Sequence, residues 1–139
     1  MNYARLVAAA VAAAVFDVVY GFLVYGQALG SQFARYPGVY RPADDMSHMP
    51  VLVVGVFIGA LVVAYIYAKG YEGGSGVAEG ARFGVAIGAF VGGYVGLIDW
   101  AVLRIGRNLA ISLVVVGFVE WLIIGIIIGL IYKPATAVN

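Results

Sequence analysis

The sequence predicts an all-α integral membrane protein, folded as a four-helix bundle whose helices pack through rows of glycine. Of its 139 residues, 64% are hydrophobic and 11% are charged, and the mean hydropathy is +1.02. A soluble domain is about half apolar and about a quarter charged, so this chain has too few charges to cover a water-facing surface. Four long apolar runs without two-residue alternation predict helices and disfavour a β-barrel.

The apolar runs define four predicted spans within one domain, 1–139. They lie at about 4–29, 51–68, 80–103 and 109–132. Each is close to or longer than the ~20 residues that cross a hydrocarbon layer at ~1.5 Å per residue. The first run contains Asp17 as its only charge after Arg5, and the fourth contains only Glu120.

The three predicted connections differ in character. Prolines and aromatic residues predict an ordered loop at 31–49, glycines predict a flexible turn at 69–79, and 104–108 is a tight hairpin. Four spans put both termini on one side, and we expect a bacterial inner membrane. Lys and Arg mark the cytoplasmic side, but each side has four: Arg5, Lys69, Arg82 and Lys133 against Arg35, Arg41, Arg104 and Arg107. The charge rule therefore leaves the orientation open.

Glycine recurs every four residues in the third run, at Gly80, Gly84, Gly88, Gly92 and Gly96. Small residues at this spacing let helix backbones approach closely, which in lipid replaces the missing hydrophobic force. Each step advances ~400°, so the row winds ~160° and predicts two neighbours or one helix that crosses at an angle. Shorter pairs, Gly55/Gly59 and Gly125/Gly129, predict further contacts. A docking groove for a partner helix or a flat cofactor is the alternative.

Asp17 and Glu120 are predicted to lie near the bilayer midplane, ~20 Å and ~18 Å along their helices. The cost of a charge in hydrocarbon places both on helix contact faces. No Lys, Arg or His occurs in the middle of a span. We therefore expect two protonated acids that form interhelical hydrogen bonds with Tyr20, Tyr94 or Ser112. A proton or cation pathway, or a counter-ion for a basic group on another subunit or ligand, is the alternative.

The loop residues Asp44, Asp45 and His48 are weak candidates for a metal site, because carboxylates and imidazole are metal ligands. They precede the helix-start signal Ser47-x-x-Pro50, so an ordinary capped loop is the favoured interpretation. His48 could alternatively ligate a chlorophyll- or haem-type metal. We predict no metal and no cofactor. Phosphate-binding loops and nucleophile motifs are absent from the sequence, which favours a protein that is not an enzyme.

Several short segments of the sequence carry a resemblance to other membrane proteins. They are Met1-Asn2-Tyr3 before an alanine-rich span, an aromatic end at Tyr20, Phe22 and Tyr25, Ala78-Glu79-Gly80 at the third span, and Gly125-Ile126-Ile127-Ile128-Gly129-Leu130 after a polar residue. In these features the chain resembles small four-helix bacterial membrane proteins of unknown function. The family tends to have Trp-Tyr at the end of the first span, where this chain has no Trp. The resemblance implies a fold and no biochemical activity.

Three functions remain open. The first is a non-catalytic accessory or scaffold subunit packed in a larger membrane-protein assembly, which suits the small size, short loops and glycine rows. The second is a small oligomeric proton, ion or small-molecule transporter that uses Asp17 and Glu120, as a dimer because four helices are few for alternating access. The third is a pigment-, quinone- or lipid-binding protein, suggested by the 14% aromatic content. The expected partners are the bilayer and other membrane subunits or a second copy. A net charge of +1 does not indicate nucleic acid.

Overall fold

The computed structural model describes residues 1–133, and within that range the chain forms helices and no strands. Four helices there are long and apolar enough to cross a membrane, as predicted. These first to fourth helices run over Tyr3–Ala28, Met46–Lys69, Gly76–Val102 and Arg107–Ile131. The second begins at Met46 and the third at Gly76, a few residues before the predicted 51 and 80.

The first and fourth helices lie side by side in the centre of the arrangement. The second helix packs against the first, and the third packs against the fourth. The first and second helices contribute alanines that are at most 5% exposed to a core shared with the fourth helix: Ala9, Ala10, Ala13, Ala14, Ala60 and Ala64. Such small side chains let two backbones come close together, which is how helices associate where lipid surrounds them.

The third and fourth helices meet through glycine. A Cβ atom added at Gly84 would lie 2.7 Å from the Trp121 carbonyl oxygen and 2.8 Å from the Leu122 Cα. A Cβ at Gly80 would overlap the Gly125 carbonyl in the same way. Backbone atoms cannot swing aside as the end of a flexible side chain can. Only glycine therefore fits at these positions with the helices at their present separation.

The other glycines of the row also face the fourth helix. Gly88 lies against Phe118, and both Gly92 and Gly96 lie against Val114. Of the two arrangements predicted for the row, two neighbours or one helix that crosses at an angle, the structure has a single neighbour. The helix has a π-helical segment at Val91–Gly96, whose wider turn takes more residues than an α-helical turn. This segment offsets the drift of a four-residue repeat, so one neighbour receives the whole row.

Gly129 lies against the backbone of Gly76, a contact outside the predicted row. Gly55 and Gly59, in contrast, lie on the outside of the second helix. A Cβ at either position would meet no heavy atom within 4 Å. This pair therefore packs against no other helix within residues 1–133, unlike Gly125 and Gly129.

The turn between the second and third helices is held by a buried acid. Glu79 is 6% exposed. Its carboxylate accepts hydrogen bonds from the backbone N–H groups of Glu72, at 2.6 Å, and Gly74, at 2.8 Å. Gly73 lies between these donors with a φ of +85°, a conformation that favours glycine. The turn predicted as flexible is therefore held in place by an acid from the first turn of the third helix.

The loop 31–49 is fastened to the hairpin between the third and fourth helices. It contains a short helix, Gly30–Phe33, and a 3₁₀ turn, Met46–His48. The Gly106 N–H donates a hydrogen bond to the Tyr36 hydroxyl at 3.0 Å. Tyr40 packs in the same cluster, where burial and the nearby Asp99 carboxylate raise the pKa of its phenol. The loop and the hairpin therefore form one small apolar unit.

The glycine contact predicts a large effect from one methyl group. Gly84→Ala should destabilise the fold by about 1–3 kcal/mol, the usual effect of overpacking a core. Gly93→Ala is the matched control on the same helix, because a Cβ at Gly93 meets nothing within 4 Å. Melting followed by circular dichroism in mild detergent measures both changes. Equal melting temperatures for the two variants would contradict the close contact.

Candidate functional site

Asp17 on the first helix and Glu120 on the fourth are brought together in the structure. Each lies about 20 Å from the start of its helix. Their side chains are within hydrogen-bonding reach of each other. Glu120 is 6% exposed, and Asp17 is half-buried. The two predicted mid-span acids thus form one polar site between the two central helices.

The two oxygens of the Glu120 carboxyl have different surroundings. The Tyr25 hydroxyl donates a hydrogen bond to Glu120 Oε2 at 2.8 Å. Glu120 Oε1 is buried and receives no hydrogen bond from an N–H or O–H donor of the described residues. The Asp17 carboxyl is within reach, and it can donate a hydrogen bond only when it carries a proton. Two ionised carboxylates in such contact would repel each other strongly.

Tyr20 and Tyr25 both reach the fourth helix because the first helix changes its winding. Five residues along an α-helix correspond to a rotation of ~140°, which would turn the two rings apart. The segment Gly21–Ala28 is instead π-helical, with the Leu29 N–H bonded to the Val24 carbonyl at 2.9 Å. The ring centroids of the two tyrosines are 6.1 Å apart.

The Tyr20 hydroxyl bonds to the backbone of the fourth helix rather than to an acid. It donates to the Val116 carbonyl at 2.8 Å, one turn before Glu120. Tyr94 is 61% exposed, and neither it nor Ser112 bonds to an acid within residues 1–133. Tyr25, rather than the predicted Tyr20, donates the phenol hydrogen bond to Glu120.

Cations are absent from this site. Among residues 1–133 the ion pairs are Arg41–Asp45 at 3.1 Å and Arg82–Glu72 at 3.6 Å, both outside the interior. The site therefore offers two carboxyls and one phenol, which can take up and release a proton or provide oxygen ligands to a cation. The chain matches no protein-family model, no curated protein and no solved structure.

The loop acids form a capped turn. Asp45 accepts hydrogen bonds from the Ser47 hydroxyl at 2.5 Å, from the Ser47 N–H at 3.1 Å and from Arg41 Nη1 at 3.1 Å. These donors lower the pKa of the Asp45 carboxyl below its ordinary value. His48 Nδ1 lies 2.7 Å from the Ser47 hydroxyl. Asp44, Asp45 and His48 do not converge as a metal-binding group, and the described part of the chain has no group of three such residues.

Aromatic side chains fill the other end of the interior. Tyr67 is 2% exposed, and its ring contacts those of Tyr71, Phe83 and Tyr132 at centroid distances of 6.2, 5.2 and 6.0 Å. These edge-on contacts are typical of aromatic packing. The aromatic rings of this region therefore pack against one another.

The hydrogen bond from Tyr25 gives a direct test of the site. Tyr25→Phe leaves Glu120 Oε2 without its donor and should destabilise the fold by about 1 kcal/mol, as for interhelical hydrogen bonds in membranes. The Tyr94 hydroxyl forms no hydrogen bond among the described residues, and its ring stacks on Phe90. Tyr94→Phe keeps that ring and should leave the melting temperature unchanged. Equal stability of Tyr25→Phe and the wild-type protein in detergent would rule out this bond.

Proposed function

We propose that the chain is an integral membrane protein whose four helices cross the bilayer as one bundle with both termini on the same side. The outward-facing side chains of the long helices support this, since large apolar residues are exposed along them, such as Val11 at 45%, Ile58 at 60% and Ile111 at 53%. Of the two mid-span acids, Glu120 faces inward and Asp17 is half-buried beside it. An aqueous surface would instead require charges on these faces.

The chain then acts as a non-catalytic subunit that packs against other membrane proteins or a second copy. The observation that carries this proposal is the outer face of the second helix, where Gly55 and Gly59 have no neighbour. Glycine in a helix interior is less favourable than alanine by about 1 kcal/mol. In lipid its advantage is the close approach of another helix. A partner helix over this face supplies that contact.

Cross-linking in native membranes, followed by native mass spectrometry in mild detergent, tests this assignment. The wild-type chain should appear in a complex larger than its 14.6 kDa. Gly59→Leu should release it as a folded monomer, because leucine holds the partner backbone away. Gly93→Leu adds the same side chain at an exposed position of the third helix and should leave the complex intact. A wild-type monomer in both measurements would exclude the subunit role.

A second candidate is proton or cation transport by an oligomer, and the Asp17–Glu120 contact favours it. The pair combines a half-buried carboxyl with a buried one whose Oε1 depends on a protonated neighbour. Loss of that neighbour's proton leaves two negative charges in contact and weakens the link between the first and fourth helices. Uptake and release of a proton are thereby coupled to the fit of two helices.

Proteoliposomes with an internal pH dye and an imposed membrane potential distinguish transport from a structural hydrogen bond. Under this candidate the wild-type protein moves protons, and Glu120→Gln or Asp17→Asn abolishes the flux while retaining the fold, because an amide releases no proton. Asp99→Asn, at the end of the third helix, should retain the flux. If the wild-type protein carries no flux, the transport candidate is wrong and the acids are structural.

A further inference from the structure

A cavity of about 250 Å³ opens where the loop 31–49 meets the start of the fourth helix. Its polar lining comes from Gln32, Arg35, Tyr36, Gly106, Arg107 and Asn108. No acidic side chain lines it. Neither arginine takes part in the ion pairs found within residues 1–133. The lining therefore includes two exposed arginines and two residues with side-chain amides, and neither arginine pairs with an acid of the described residues.

The start of the fourth helix increases this positive charge. The helix has 25 residues, its N-cap Gly106 supplies no side-chain acceptor, and its first turn contains no acid. Free N–H groups at a helix start carry partial positive charge, so a cation there is unfavourable. Arg107 nevertheless occupies the first helical position. An anion bound in the cavity removes this conflict.

The walls of the cavity are held in place before any ligand binds. The Gly106 N–H bonds to the Tyr36 hydroxyl, and a Cβ at Gly106 would lie 2.6 Å from that oxygen. Behind the polar lining, Ile105, Leu109 and Ala110 are at most 8% exposed. The loop and the helix start therefore cannot separate without exposing this apolar cluster, so the backbones that carry Arg35 and Arg107 stay side by side.

We infer that this cavity binds a phosphate group. Guanidinium groups match phosphate through paired hydrogen bonds, and a helix start adds backbone donors. A volume of about 250 Å³ accommodates a phosphate with several waters, each of which occupies ~30 Å³ in the liquid. The phosphate belongs either to a lipid headgroup or to a soluble anion. The headgroup source rests on the proposed membrane placement, which puts this end of the helices at the lipid phosphates, and the soluble source does not.

Melting of the full-length protein, in neutral detergent and in nanodiscs, tests the site. Inorganic phosphate in detergent should raise the melting temperature by about 4 °C above the same ionic strength of chloride, if soluble phosphate binds. Phosphatidylglycerol in nanodiscs of a phosphate-free glycolipid should raise it similarly if the headgroup binds. A response to either probe supports the site and identifies the source. No response to both would overturn the inference.

Charge variants tie the response to the cavity. Arg35→Gln with Arg107→Gln should abolish it, while Arg104→Gln, on the same side but outside the cavity lining, should retain it. Arg107→Glu provides an independent check, because an acid at a helix start is stabilising. It should raise the melting temperature without ligand and remove the phosphate response. A wild-type response in Arg107→Glu would show that the anion binds elsewhere.

Discussion

Close backbone contact between the third and fourth helices is the constraint on which the rest of the structure depends. Gly84 and Gly125 leave no room for a Cβ, so the two helices have one separation and one rotation. Glu120 lies five residues before Gly125, about 140° around the fourth helix. Turning Gly125 towards the third helix therefore turns Glu120 towards the first. The polar site is a consequence of the glycine contact.

The positions of the long helices could be predicted from the sequence, because hydropathy is summed over many residues and single errors cancel. The rotation of side chains could not, since it depends on the winding at each turn. Counting 3.6 residues per turn places Tyr20 and Tyr25 ~140° apart and winds the glycine row by ~160°. The count leaves out the π-helical segments Gly21–Ala28 and Val91–Gly96, which turn less per residue. Gly21 and Gly26 were the available signal, because glycine weakens the α-helical preference locally.

The acidic residues also differ in how far their roles could be predicted from the sequence. Asp17 and Glu120 were identifiable because a carboxyl in the middle of an apolar run costs free energy in hydrocarbon. Such a residue is therefore expected to have a structural or functional role. Their similar distance from the starts of their helices is consistent with the contact between them. Glu79 stands near a helix start, where an acid is common, and its partners are backbone N–H groups of a glycine-rich turn. Backbone donors leave no pattern in the sequence, so its structural role appears only in three dimensions.

The three helix interfaces differ in the side chains that form them. Alanines join the first helix to the second, and glycines join the third to the fourth. The first and fourth helices are joined by apolar contacts together with the hydrogen bonds of Tyr20 and Tyr25, and the neighbouring carboxyls of Asp17 and Glu120 lie between them. This interface connects two tightly packed helix pairs, and it is the one at which the two mid-span acids meet. Under the transport proposal, a change of protonation therefore acts on the fit between the two pairs.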